Sequence, residues 1–362
     1  MVACVASDHD NIADISQPLI IPNWDGWKTV AEGTVGTGVS VAATSIGGGN
    51  YTLFRADPLG GMYTIPGNPQ QGWPGWARIG TGVAAPHTSV TAIPIGNGQS
   101  ALFVVGTDGG VYNTMGSSQS SWTPWPRVGD LTASFGTTVT AIPSTLGFFR
   151  VFAVGADGGI YTNIGIDADW QLKWNRVGTR TARPGTSVTA VSTGVGLFAL
   201  FTVGSAGQIY PTTGDGLTWT DYDAVGIVAN ASTPRVTVNP DTFGNFTLWV
   251  VDPNGGIVRS FGSPTTSWSN SLPIPNAGAR ADSTITSIPA ANGISTLFVV
   301  GTDNNIYSNV SNGQNGFTPV PGLVPGGDNA GTSVTAVKIT STLFYLFTAN
   351  ANGEVFANWG PK

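Results

Sequence analysis

The sequence predicts an all-β fold, a seven-bladed β-propeller of four-stranded antiparallel blades. Three observations predict it. A column of residues at Tyr63, Tyr112, Tyr161, Tyr210, Val258, Tyr307 and Phe356 recurs with spacings of 49, 49, 49, 48, 49 and 49. Two further columns share that period. No stretch shows the 3.6-residue apolar spacing of a helix, and a period of this length is that of a propeller blade.

The second copy, residues 101–129, shows the unit most plainly. Its first part, Ala101-Leu-Phe-Val-Val105, is an apolar strand. A turn follows at Gly106-Thr-Asp-Gly-Gly110, because Asp-Gly reaches the positive φ angles that a two-residue hairpin needs. A second strand ends near Tyr112. After a polar loop, another strand opens with Trp122 and Trp125. With an inner strand upstream, the four strands of this copy are expected near 88–94, 101–106, 110–114 and 122–128.

The other two columns extend the count to seven. The strand before each turn reads TLFRA, ALFVV, RVFAV, ALFTV, TLWVV, TLFVV and YLFTA. The start of each inner strand reads Ser40-Val41, Ser89-Val90, Thr138-Val139, Ser187-Val188, Arg235-Val236, Thr284-Ile285 and Ser333-Val334. Four strands per copy and seven copies fall within the range of known propellers.

The ends of the chain complete the ring. Copy seven stops at Lys362 after its third strand. Trp24-Asp-Gly-Trp27 matches Trp73-Pro-Gly-Trp76 and Trp122-Thr-Pro-Trp125, shifted by 49 each time. Residues about 18–32 are therefore expected to form the outer strand of the last blade, removing the open sheet edge. The chain reads as a single domain, residues 1–362, with blades at about 33–80, 81–129, 130–178, 179–227, 228–275, 276–324, and 325–362 plus 18–32.

Composition narrows the partners. The chain has 14 Lys and Arg against 20 Asp and Glu, for a net charge of -6. A nucleic-acid binder needs a basic face to neutralise phosphates, so neither nucleic acid nor an anionic membrane surface is an expected partner. Cys4 is the only cysteine, which excludes an internal disulfide and a multi-cysteine metal site. No run approaches the ~18 apolar residues of a membrane span, so no membrane insertion is expected. Residues 1–17 carry Asp8, His9, Asp10 and Asp14 without a basic start or an apolar centre. They do not read as a signal peptide, and the expected location is cytoplasmic or reached by a non-classical route. The Asn50, Asn230, Asn245 and Asn309 sequons are expected to be idle.

No catalytic constellation stands out. His9 lies in the N-terminal tail and His87 in a loop, and there is no second histidine near either in sequence. Metal-protease, nucleophile-elbow, phosphate-loop and EF-hand patterns are absent, so no cofactor and no metal are expected. A glycosidase needs two positioned carboxylates. Here Asp57, Asp108, Asp157, Asp252 and Asp303 fall in turns, where aspartate is a hairpin former.

Aromatic pairs beside short polar loops are what the chain does carry. They are Trp24/Trp27, Trp73/Trp76, Trp122/Trp125 and Trp170/Trp174, weakening to Trp219/Tyr222, Trp268/Ser271 and Phe317/Val320. At a spacing of three in a strand the two members face opposite sides, so one is expected to pack between blades and the other to lie in an inter-blade groove or at the blade edge. Either ring can be inter-blade core. Either can also stack on the C–H face of a sugar, with the indole N–H as a polar handle. Arg78, Arg127 and Arg176 each follow the second Trp by two residues, as a ligand group or as a salt bridge to a turn aspartate. Copies one to three, where the Trp pair and the Arg coincide, are the expected binding blades.

Val-Gly-Thr-Asp-Gly-Gly-Val-Tyr112, followed by Ser-Ser-Trp-Thr-Pro-Trp125 and Val128-Gly129, resembles the repeat of bacterial seven-bladed fucose-binding propeller lectins. Val299-Val-Gly-Thr-Asp-Asn-Asn-Ile-Tyr307 does so in the sixth copy. The wider tectonin group has similar blades. The chain departs from that family where an Asp-Gly-Arg-like turn joins the first two strands; here the turn reads Gly96-Asn-Gly98, Gly194-Val-Gly196 or Asn292-Gly293. The resemblance implies a multivalent lectin, not an enzyme, that holds neutral, fucose-like sugars of glycoproteins or glycolipids between adjacent blades. The competing readings are a carbohydrate-active enzyme with its site at the channel mouth and a protein-interaction scaffold.

Overall fold

A computed structural model describes residues 24–34, 41–85, 88–118, 121–144, 147–166, 169–230, 235–241, 243–289, 294–312, 322–324, 330–340 and 343–360. Cys4, His9, Ser40, His87, Phe317, Val320 and residues 18–23 lie outside them.

Seven antiparallel sheets are arranged as blades, the first six each running from an inner to an outer strand in chain order. In blade two the strands are Thr91–Gly96, Gln99–Val105, Gly110–Gly116 and Arg127–Thr132. The outer strand thus starts at Arg127, and the Trp122–Trp125 segment precedes it as irregular chain. Blades three and four add a short strand at Asp169–Trp170 and Trp219–Asp221, paired to the third strand ahead of the outer one. Blade seven takes its outer strand from the other end of the chain. Lys28–Thr34 pairs with Glu354–Gly360, Lys28 opposite Ala357 and Thr29 opposite Phe356.

The second strands explain why the blades stack. Gln99–Val105 buries every residue after the first, and Asn50–Ala56 does the same. A strand half-exposed to water would alternate; these are covered on both faces by neighbouring blades, so they read as continuous apolar runs. Their central aromatics, Phe54, Phe103, Phe152, Phe201, Trp249, Phe298 and Phe347, are all at most 1% exposed. Each lies in a hydrophobic cluster shared with the next blade. Phe54 packs with Leu102 and Val104, Phe152 with Phe198 and Leu200, and Phe347 with Tyr51 and Leu53 across the closure. Burying one such ring is worth roughly 2–3 kcal/mol.

The turn between the second and third strands differs from the expected two-residue hairpin. Gly106 and Gly110 exchange the closing bond, Gly106 N–H to Gly110 O at 2.8 Å, which leaves three residues in the loop. Gly109 N–H donates to Gly106 O at 2.9 Å, and Gly109 takes φ +76°. This is a type I turn followed by a left-handed residue. The aspartate is the reason: its carboxylate accepts the N–H of the residue two beyond, as Asp108 does from Gly110 and Asp157 from Gly159, both at 2.9 Å. The expectation that the turn aspartates are hairpin formers holds on these bonds.

Around the axis, threonine hydroxyls tie each inner strand to the next. Thr91 donates to the Val139 carbonyl, Thr140 to Val188, Thr189 to Val236, Thr237 to Ile285, Thr286 to Val334, and Thr335 to Val41 across the closure. Blade one has Ala42 at this place and makes no such bond. No helix among the described residues is long and apolar enough to cross a membrane.

Removing residues 1–34 would strip Trp24 and Trp27 from the seam between blades six and seven and Val30 from that between blades seven and one, and would expose the edge of Glu354–Gly360. We expect the truncated chain to melt about 5–10 °C lower, from a loss of roughly 5 kcal/mol. Equal thermal transitions for the two chains would sink the closure argument.

Candidate binding site between the blades

Every described Trp at the first position of a pair sits edge-on against the buried aromatic of the preceding blade. Ring centroids are 6.2 Å apart for Trp24–Phe298, 5.9 Å for Trp73–Phe347 and 5.8 Å for both Trp122–Phe54 and Trp170–Phe103. Trp219–Phe152 and Trp268–Phe201 repeat the contact at 6.0 Å. All are T-shaped, the arrangement that ring quadrupoles favour.

The second position packs on the same neighbour, against its outer strand. Trp125 donates its indole N–H to Ile79 O at 3.3 Å, and Trp174 to Val128 O at 2.6 Å. Trp76 lies over the Arg55 guanidinium, 4.7 Å from its ring centroid, and beside Gly33 of blade seven. Trp27 packs in the cluster between blades six and seven. The expectation that a spacing of three sends the two rings to opposite faces therefore fails. The period-two rule applies only inside one strand, and no strand spans both members of a pair: the segment is irregular, or in blades three and four its short strand ends before the second member. All the Trp rings named are half-buried except Trp174, which is buried. Trp170 also spends its N–H, on Asn113 Oδ1 at 2.9 Å.

Glycines in the outer strands make room for these rings. A Cβ on Gly82 would meet Trp125 atoms at 2.5–2.7 Å, and one on Gly129 would meet Trp174 at 2.8 Å. Gly82 has ordinary backbone angles, so what it supplies is space alone.

The arginines gather with the turn. Arg78, Arg127 and Arg176 lie exposed, opposite Tyr63, Tyr112 and Tyr161 across the outer strand pair. Arg127 Nη1 is 3.7 Å from Asp108, whose carboxylate also accepts the Tyr112 hydroxyl at 2.8 Å. Asp157 accepts the Tyr161 hydroxyl at 2.7 Å. The Gly110 N–H, the Tyr112 hydroxyl and Arg127 hold the Asp108 carboxyl below its ordinary pKa. For Asp157 the leading cause is the Tyr161 hydroxyl, with Arg176 adding to it. Of the two readings of these arginines, this geometry favours the bridge to a turn aspartate in copy two; in copy three Arg176 acts on Asp157 only through its charge.

The seam between blades five and six is different. Copy six has Val320 where copies one to three have the second Trp. The seam holds a cavity of about 310 Å³, lined by Ile257, Ile274, Ala277, Leu297, Val299 and, at its polar end, Asp303, Tyr307, Ser308 and Asn309. By the repeat, Ile274, Ala277, Leu297 and Tyr307 are the counterparts of Ile79, Gly82, Leu102 and Tyr112, which surround Trp125. The cavity is thus the slot an indole occupies elsewhere. Sequence reasoning looked to copies one to three and missed it; Val320 in place of the second Trp was the available signal. Two further cavities, of about 480 and 420 Å³, lie between blades three and four beside Arg150 and Phe198, and between blades two and three beside Met115 and Phe149. Among the described residues no group of three or more His, Cys, Asp or Glu side chains comes together.

Gly82→Ala is expected to cost about 1–3 kcal/mol by overpacking against Trp125. Gly226→Ala, where a Cβ meets nothing within 4 Å, is expected to change stability by less than about 0.5 kcal/mol. Urea midpoints of the two variants separate the cases, and equal midpoints would refute the role of Gly82. The lowered pKa of Asp157 means that its carboxylate contributes stability above its unfolded value, about 3.9, and that this is lost as pH falls through the lower folded value. Asp157→Asn should therefore flatten the fall in urea midpoint below about pH 4 and leave the curve above pH 5 parallel to wild type. An unchanged acid limb would refute it.

No protein-family model matches the chain, and no curated protein sequence matches it. Solved structures do. A lectin of Burkholderia pseudomallei is similar over 91% of this chain and 99% of its own, with a TM-score of 0.72 and 18% identity. A protein of Arthrobotrys oligospora is similar over 82% of this chain and 88% of its own, with a TM-score of 0.55 and 12% identity. The Aleuria aurantia lectin, a six-bladed propeller described for its fucose recognition, is similar over 82% of this chain and 99% of its own, with a TM-score of 0.52 and 16% identity. At these identities the shared property is the propeller fold.

Proposed function

We propose that this protein is a multivalent lectin without catalytic activity that binds neutral, fucose-like sugars of glycoproteins or glycolipids between adjacent blades. The observation that carries the reading is the open seam between blades five and six. Its walls are apolar, Ile257, Ile274, Leu297 and Val299, and its polar end presents Asp303, Tyr307 and Asn309. A deoxy sugar ring has one apolar face and edge together with a fan of hydroxyls, and matches that division. The Asp303 carboxylate accepts the Tyr307 hydroxyl and the Asn305 side-chain amide on Oδ2, both at 2.8 Å, and the Asn305 backbone N–H on Oδ1 at 3.1 Å; a carboxylate offers about four lone-pair sites, so one site, on Oδ1, remains for a sugar hydroxyl. The half-buried rings of Trp24, Trp73, Trp76, Trp122 and Trp125, with Trp170, supply further apolar faces along the seams of the first blades. Weak single sites repeated round one ring gain avidity on a glycan-covered surface. The likeness of the fold to lectins supports the same reading.

A glycan array with the labelled protein, followed by competition with free L-fucose and other monosaccharides, tests it. We expect a group of related glycans, each displaced by one monosaccharide. Ala277→Trp should refill the slot and weaken titrated monosaccharide binding at this seam at least tenfold, without lowering the melting temperature. Trp122→Ala probes the first blades and should also cost about 2–3 kcal/mol of stability. A blank array, or unaltered binding by both variants, would overturn the proposal.

A further inference from the structure

One position breaks the column of small hydroxyls at the start of the inner strands. Five of the seven copies have Ser or Thr there in the described residues, at Ser89, Thr138, Ser187, Thr284 and Ser333; the fifth copy has Arg235. Inner strands of blades four to seven wall a cavity of about 300 Å³ on the propeller axis, lined by Ser187, Arg235, Thr237, Thr284, Thr286 and Ser333 among others. That is far more than the ~10–15 Å³ a single water needs.

Arg235 is a charge without a counter-charge. It is half-buried and makes no hydrogen bond, ion pair or ring contact among the described residues. The inner strands beside it carry no Asp or Glu. The nearest acidic side chain in sequence on the neighbouring blade, Asp282, is taken by Arg280, Nε to Oδ1 at 2.6 Å and Nη2 to Oδ2 at 2.8 Å. Arg150 and Arg55 differ. Arg150 donates to Gly216 O at 3.1 Å and lies over Phe198, and Arg55 lies over Tyr63 and Trp76. Burial alone pushes the Arg235 guanidinium below its ordinary pKa. Partly desolvating such a charge without a partner is costly.

The surrounding chemistry is one of donors. A guanidinium presents five N–H groups in a planar fork matched to a two-oxygen edge. Thr237 and Thr286 have committed their hydroxyls to the next blade, whereas Ser187, Thr284 and Ser333 remain to donate to the same guest. Thr138, in the same column, has a buried hydroxyl oxygen with no partner. A cation is repelled here, and a neutral sugar leaves the charge uncompensated. We propose that the central channel is a binding site for a small oxyanion, a carboxylate, phosphate or sulfate group, gripped by Arg235 and the column hydroxyls. The site is separate from the seams and does not depend on their binding sugars.

Isothermal titration at fixed ionic strength, with sodium phosphate, sodium sulfate and glucuronate in turn and chloride as the balancing salt, tests this. The variants are Arg235→Thr, which installs the residue type of the other copies and so keeps the fold, and Arg235→Gln. Wild type is expected to bind at least one of the three with 1:1 stoichiometry, and both variants to bind it at least tenfold more weakly. Arg235→Thr should melt at or above wild type in chloride, since it removes an uncompensated charge. Binding of phosphate or sulfate assigns the site to a free inorganic anion, and binding of glucuronate alone assigns it to an acidic sugar; both support the proposal. No binding of any of the three, or equal binding by the variants, overturns it. Ala277→Trp should keep full anion affinity, so failure of the sugar reading and failure of this one are distinguishable.

Discussion

The structure depends on one repeated contact, the burial of an aromatic ring on each second strand against the blade that follows. Because these strands are covered on both faces, no blade satisfies its apolar surface alone. Phe54 needs Leu102 and Val104, and Phe347 needs Tyr51 and Leu53. The last of these contacts closes the ring, so the stability of the first blade and of the seventh are one quantity. A chain that is 41% hydrophobic, with only 9% charged residues, hides its apolar surface by stacking seven thin sheets rather than by surrounding one core.

On that frame the seams are tuned by small complementary changes. A glycine in one outer strand makes room for a tryptophan leading into the next, as Gly82 does for Trp125 and Gly129 for Trp174. At blades five and six, where the repeat has Val320 in place of the second Trp, the described residues wall a cavity with a polar end. The threonine ties at the axis act independently of this, since they join inner strands through a carbonyl that every residue possesses.

Charge is used sparingly and mostly locally. The turn aspartates are held by backbone N–H groups and tyrosine hydroxyls within the same blade, and Arg127 joins that arrangement. Exposed pairs of this kind are worth little in energy, about 0–1 kcal/mol; they orient the turn. Against this background an unpaired arginine on the axis is the exception.

By itself the sequence determined the architecture. The 49-residue period counts seven copies, the Trp24/Trp27 match places the closing strand, and the aspartate turns follow from local backbone chemistry. These are short-range properties, set by the alternation of side chains and the conformations each residue can reach. The tertiary structure decided what lies across each seam. That both members of a Trp pair rest on the same neighbour, that Thr91 reaches Val139, that a cavity lies beside Ala277, and that Arg235 meets no carboxylate among the described residues all depend on how one blade docks on another. The column containing Arg235 and the loss of the aromatic at Val320 were both visible in the chain. Their meaning was not, because a repeat reports which positions are equivalent and is silent about which surfaces touch.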